Sequence, residues 1–355
     1  MHEQFSKVKY LLILFILVML TTTYSQDVYR VGTTTANFLE IGFGTRGIAM
    51  GDAVVSNIDD VSSIYWNPAG LSFMKNNQAL FSSRPWLVDI NLGMAAVGIN
   101  LESFGTIAFG ITYANYGTMD VTTLDMQEGT GELFDAGDFA ASFTYARKLA
   151  DWFAFGASFK YIYSQIWKVS ANAIAVDLGV MMNTEFFSPS GEREDGLQIG
   201  MSISNYGTRM QYDGMNLLNP IDINPNENGN YSRVEGAYKL REWELPLIFR
   251  VGITATPIVT QNTKLRIAVD ALHPNNNSES VNVGAIYLWD IKTFGELFLC
   301  AGYKGIFMVN SEYGASFGGG ITKNLFGNVK LLLEYAYQDI GALGYNNSFG
   351  IGIQF

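Results

Sequence analysis

This chain of 355 residues is short of the groups that enzymes and many binding modules rely on. It holds one cysteine, Cys300, which excludes an internal disulfide. Of its two histidines, His2 lies in a stretch expected to be removed, so any Ser-His-Asp or His-metal site would depend on His273, beside Pro274 in a polar stretch. Carboxylates are plentiful, but their arrangement singles out no acid/base pair, so we assign no catalytic residue, metal or cofactor and expect no enzyme. Basic residues number 22 against 33 acidic ones, a net charge of −11, which argues against a nucleic-acid partner. After residue 25 no run reaches the ~18 apolar residues of a transmembrane helix. The longest apolar run, Tyr10 to Leu20, follows Lys7 and Lys9 and precedes Thr23 and Ser25, small residues at −3 and −1 of a cut before Gln26. Residues 1–25 are therefore expected to be a secretory signal, and with no cysteine after the cut a lipid-anchored start is not expected.

What remains is rich in apolar and aromatic residues, 48% and 14% of the chain, together with 37 glycines. Their arrangement predicts fourteen strands from Gln78 onward, near 78–83, 87–99, 104–115, 139–146, 152–164, 173–182, 196–205, 244–255, 264–271, 281–289, 296–303, 313–322, 328–338 and 347–355. In 152–164, Phe153, Phe155, Phe159, Tyr161 and Tyr163 share one face, against Ala154, Gly156, Ser158, Lys160 and Ser164. The last residues repeat the pattern: Phe349, Ile351, Ile353 and Phe355 oppose Ser348, Gly350, Gly352 and Gln354. Such an apolar final strand is expected to be paired in a closed ring rather than left as a soluble edge.

Alternation alone does not separate a soluble sandwich from a membrane barrel. The predicted strands are about as long as a tilted bilayer crossing requires, ~9–11 residues. Trp86, Trp152, Trp167, Trp243 and Trp289 fall at strand ends, as in an interfacial girdle. Short links at 100–104, 149–151, 290–295 and 323–327 alternate with long polar ones at 116–137, 206–242, 272–280 and 339–346; link 183–195 is long on the short side. The expected fold is an all-β, 14-stranded antiparallel transmembrane barrel in a bacterial outer membrane, surrounded by its lipid, with short turns and the C-terminus on the periplasmic side. Inward positions are often Gly, Ala or Ser, so either water or a plug must occupy the lumen. Inward charges (Lys160, Asp177, Arg250, Arg266, Asp270, Glu334) read as lumenal ion pairs.

Residues 26–77 do not alternate and are expected to form a small plug, or hatch, ahead of a barrel at 78–355. They contain Thr45-Arg46-Gly47-Ile48-Ala49-Met50-Gly51-Asp52-Ala53, the pair Asp59-Asp60, and Tyr65-Trp66-Asn67-Pro68-Ala69-Gly70-Leu71. This order resembles the PorV/PorQ family of outer-membrane proteins, related to FadL-type channels, with Thr45 where alanine is more usual. The resemblance implies a plug or gating motif made of Arg46, Gly47, Met50, Gly51, Asp59, Asp60, Trp66, Asn67, Pro68, Ala69 and Gly70. A plainer reading of 66–71 is an anchor of the plug against the wall, Asn67-Pro68 making a turn and Gly70 taking an unusual backbone angle.

By the same resemblance the chain is expected to be an accessory of type IX secretion, binding exported cargo proteins or a large translocon barrel through loops 116–137 and 206–242. The alternative is a FadL-like channel for hydrophobic small molecules. Two further motifs are discounted. Gly42-Phe43-Gly44-Thr45-Arg46-Gly47 matches a dinucleotide fingerprint but has no βαβ context, and is expected to be a flexible entrance to the plug. Asp222 to Gly229 spaces oxygen ligands at every second position, but its glycine is misplaced for a calcium loop, so a polar surface loop is expected.

Overall fold

The computed structural model describes residues 30–355 apart from 228, 231, 232, 292 and 293; the expected signal and residues 26–29 lie outside the described residues. Fourteen strands form one closed antiparallel barrel. They are β1 Gln78–Pro85, β2 Asn91–Asn100, β3 Thr106–Asp120, β4 Leu133–Ala150, β5 Phe153–Ile166, β6 Val169–Asn183 and β7 Gln198–Gly207, then β8 Ile248–Val259, β9 Thr263–Pro274, β10 Ser280–Ile291, β11 Gly295–Ile306, β12 Ala315–Asn324, β13 Lys330–Asp339 and β14 Tyr345–Gln354. Each strand pairs with its sequence neighbours, and the ring closes where Gln78 opposes Gln354 and Ser83 opposes Phe349. Closure leaves no free edge in the ring, which is what a bilayer requires of a sheet. No helix among the described residues is long and apolar enough to cross a membrane.

The period-two pattern sets which way each side chain points. Phe81, Phe109, Phe143, Phe159, Leu178, Ile253, Leu299, Leu333 and Ile351 are exposed on the outside. Their neighbours Ser82, Ala108, Thr144, Ser158, Asp177 and Thr254 are buried on the inside. All fourteen predicted strands are present, with shifted ends. Segment 244–255 becomes strand only at Ile248, and Leu245 instead turns inward into the core. Half of the expected loop 116–137 is strand: β3 and β4 run past a bulge at Asn115/Thr118 and project as a paired hairpin. Loop 208–247 carries its own hairpin, Leu218–Ile221 against Val234–Ala237. The links at 86–90 and 167–168 are short although they lie at the loop end, so the alternation in link length is weaker than the sequence implied.

The aromatic girdle needs one correction. Trp152 and Trp289 are exposed near the turn end, as expected of a girdle. Trp86, however, packs against the interior core, with the Arg84 guanidinium 4.3 Å from its ring centroid. It sits in a link rather than on an outward strand position, so alternation did not govern its direction.

The main hydrophobic core lies inside the ring. Phe38, Leu39, Phe43, Ile48, Met50, Ile58, Tyr65, Trp66 and Leu71 of the N-terminal segment pack against Leu80, Leu92, Met94, Ile162, Ile286, Phe298 and Leu332 of the wall. The segment is mostly irregular, with short helices α1 Thr45–Ala49 and α2 Ser63–Trp66 and a 3-10 turn at Pro68–Phe73.

Candidate functional site

The segment runs the length of the lumen. At the loop end, Asn276 donates to the Thr34 hydroxyl at 2.7 Å and the Thr35 amide donates to the Glu244 carbonyl at 3.0 Å. At the other end it leads into β1 at Gln78. Only its last residues therefore share the end of the barrel at which the C-terminus lies. In between it is fixed in two contrasting ways.

Residues 42–60 meet β8 to β14 and the end of β1 largely through polar and charged groups. Arg84 donates to the Gly42 carbonyl at 3.0 Å. Lys304 pairs with Asp52 at 2.6 Å, both buried. The Asp270 carboxylate accepts from the Val55 amide at 2.8 Å, and Ser56 shares a 2.8 Å hydrogen bond with Thr254. Arg266 donates to Asn57 at 3.0 Å. Arg46 reaches Asp59 at 2.7 Å and Asp60 at 2.9 Å, bringing together three residues of the predicted motif. Burial alone would lower the Arg46 pKa, but Asp60 and Asp59 outweigh it and hold the guanidinium firmly charged. Burial likewise would raise the Asp59 carboxyl, and Arg46 with Arg266 more than offset that, keeping it below its usual range.

Residues 61–74 meet the β1–β7 wall mostly through uncharged contacts, apart from the Lys148 ammonium 4.6 Å from the Phe73 ring centroid. Asn67 uses its whole amide: it donates to the Val55 carbonyl at 2.7 Å and the Val180 carbonyl at 3.1 Å, and accepts from the Ala69 amide at 3.1 Å. Ser202 donates to the Trp66 carbonyl at 3.1 Å. The wall is hollowed to receive these residues. A Cβ on Gly179 would fall 2.0 Å from the Asn67 Oδ1, and one on Gly156 would fall 2.3 Å from the Pro68 carbonyl carbon. Inward glycines are thus sockets for another stretch of the same chain.

The remaining motif residues are packing devices. Gly47, with Gly42 and Gly44, cradles the Trp66 indole; a Cβ on Gly47 would lie 2.8 Å from the ring. The expected flexible entrance is therefore a buried cradle, and among the described residues no strand precedes it, as a dinucleotide site would need. Met50 packs on Gly284 and Gly302, and Gly51, at φ +64°, passes so close to β11 that a Cβ would sit 2.6 Å from the Tyr303 nitrogen. Gly70 does not take the unusual angle expected of it: its φ lies outside the left-handed region, and what it allows is close approach to the Ile58 carbonyl oxygen, 2.5 Å from a built Cβ. Ala69 is fully buried against Ala154 and Met181.

Of the predicted inward charges, Lys160 and Asp177 form a buried pair at 2.6 Å, completed by Asn205. Arg250 donates to Ser204 at 2.8 Å and lies 6.0 Å from the Trp66 ring centroid. Sequence reasoning missed Arg84, Asp52 and Lys304 as anchors. A charge on the inward phase of an otherwise uncharged strand, as in Leu80-Ser82-Arg84, was the available signal. Below the Arg46 cluster a polar cavity of about 970 Å³ opens among the turn-end strand termini, lined by Lys264, Arg266, Glu296 and Glu334 among others.

The sequence profile of a family described as "Type IX secretion system protein PorV" matches residues 24–234, more than half of the chain. The chain belongs to the PorV family. It is thus an outer-membrane barrel of type IX secretion with a FadL-like fold, in a class of transport and secretion proteins rather than enzymes. Its fold resembles the structures of a Pseudomonas aeruginosa FadL homologue (10% identity, TM-score 0.53, 88% of this chain and 98% of that one). It also resembles the Pseudomonas putida toluene transporter TodX (10%, 0.52, 88% and 97%) and the Ralstonia pickettii toluene transporter TbuX (12%, 0.52, 88% and 97%). At these identities the likeness is one of fold. No curated sequence matches the chain.

Proposed function

We propose that this PorV-family barrel is a non-catalytic accessory of type IX secretion that binds exported cargo or the translocon through its loop-end surface, while residues 26–77 act as a permanent plug. On this reading Arg46, Asp59, Asp60 and the Trp66–Gly70 stretch seal the lumen rather than gate it. The observation that carries the reading is the ring of attachments between segment and wall. Passage through the lumen would require breaking the Lys304–Asp52 pair and the Asn67 hydrogen bonds together.

A sealed barrel acts through its surfaces. The projecting β3–β4 hairpin exposes Leu124 to 93%, with Met126 and Leu133 beside it, and the hairpin of loop 208–247 exposes Leu218, Ile221 and Tyr238. Apolar side chains held in water on projecting loops are what a protein partner covers. The test is affinity capture from detergent-solubilised outer membrane with the full chain and with residues 121–132 replaced by a Gly/Ser linker. The full chain is expected to retain a large barrel or exported cargo and the loop variant to lose it. A chain that captures neither, yet transports toluene into proteoliposomes, is a channel instead.

A further inference from the structure

On the outer wall near the loop end, β8, β9 and β10 leave an apolar notch of about 270 Å³. Its floor is Ala271, which opposes Val251 on one side and Val281 on the other. The preceding outward residues of β9 are Ile267 and Val269, so along this strand the wall drops by most of a branched side chain at Ala271. Phe249 and Phe307, the latter from the link after β11, complete its lining. Phe307 is held at φ +68°, a left-handed conformation that a bulky aromatic rarely adopts, and the residue is 81% exposed. Its link is tied to the neighbouring one by a 3.1 Å hydrogen bond from the Val309 amide to the Ser278 hydroxyl. The pair His273–Glu279, at 3.0 Å, places polar groups on the notch's loop side alone.

We propose that this notch is a binding site for one acyl chain of an outer-leaflet lipid. The notch is continuous with the lipid-contacting wall, so hydrocarbon reaches it from the bilayer without crossing water. Its lining is apolar and its polar groups lie where a lipid headgroup would be. Its size suits part of one chain: it exceeds the ~150 Å³ cavity that holds benzene and falls short of the ~300 Å³ at which drug-sized pockets begin. A flat stretch of wall exchanges its lipids freely, whereas a recess with an aromatic lining buries a chain on several sides and slows its departure.

The experiment loads the full-length protein in vesicles of phosphatidylethanolamine and phosphatidylglycerol, extracts it in mild detergent and counts retained phospholipid by native mass spectrometry. Wild type is expected to keep one phospholipid that Ala271→Phe, which fills the floor, does not. Phe307→Ala, which removes part of the lining, is expected to release that lipid about tenfold faster, the factor set by losing much of one aromatic contact. Both positions face outward, and heat-modifiable migration on gels reports whether each variant folds. Equal retention by wild type and Ala271→Phe overturns the proposal; if that variant does not fold, an unchanged release rate in Phe307→Ala overturns it. A photo-crosslinker at residue 271 that labels a protein rather than lipid in native outer membrane also overturns it, making the notch a protein contact.

Discussion

The two halves of the N-terminal segment meet opposite sides of one wall by different physics. Residues 42–60 face β8–β14 through buried charges and hydrogen bonds as well as the close packing of Met50 and Gly51, whereas residues 61–74 face β1–β7 mainly through shape and neutral hydrogen bonds. Charged attachments fix position strongly but leave a large penalty when one partner is lost. Steric sockets tolerate electrostatic change but not a single added carbon.

The largest expected effect lies on the charged side. Lys304→Met leaves Asp52 buried without its cation and is expected to lower stability by about 3–5 kcal/mol, read as the urea midpoint in detergent. Adding Asp52→Asn should restore most of it, because the stranded charge goes too. On the steric side, Gly156→Ala drives a methyl into the main chain of Pro68 and is expected to be worth roughly 3 kcal/mol, the upper end for overpacking, since backbone yields less than a side chain. A variant as stable as the parent would show that this half of the segment is loosely held and the contrast unreal. Asn67→Ala abandons the Val55 and Val180 carbonyls and the Ala69 amide, and is expected to cost about 1–3 kcal/mol. Asn67→Asp should recover only the contact to Ala69, since a carboxylate has no N–H to donate.

The smallest effect is in pH. Asp59 has a lowered pKa in the folded state, so its contribution is present above the ordinary carboxylate value of about 4 and fades as pH falls below it. Glu40 behaves oppositely: burial raises its pKa, so its charged form opposes folding as pH rises through the range between its ordinary and raised values. Asp59→Asn should flatten the acid limb of a stability profile, and Glu40→Gln should raise the neutral plateau. The Asp59 change is expected to be slight, as 45% of its side chain is open to the cavity and water screens it.

Much of the wall was legible because a strand's side chains obey a fixed period, and a bilayer demands the same face of every strand. Phe153 to Ser164 could hardly be misread. Trp86 lies in a link, where that rule fixes no direction, and it packs against the interior core. The interior was less legible because its contacts join residues far apart in sequence. Asp52 and Lys304 carry no mark of each other, and Gly156 and Pro68 become a socket and its occupant only once the ring is closed. Gly70 shows the limit of local reasoning: a turn former was read as conformational freedom, and the fold uses it for clearance. The small inward residues did signal that something fills the lumen, though they did not distinguish water from chain.

The seam between β1 and β14 joins the strand that directly follows the segment to the last strand of the chain. Trp66 and its neighbours are too bulky to be drawn through a finished hoop whose inner face already fits them closely. Insertion into the membrane must therefore fasten the hoop about its contents in one act, and any folding factor that delivers this barrel handles a core and a wall that mature together.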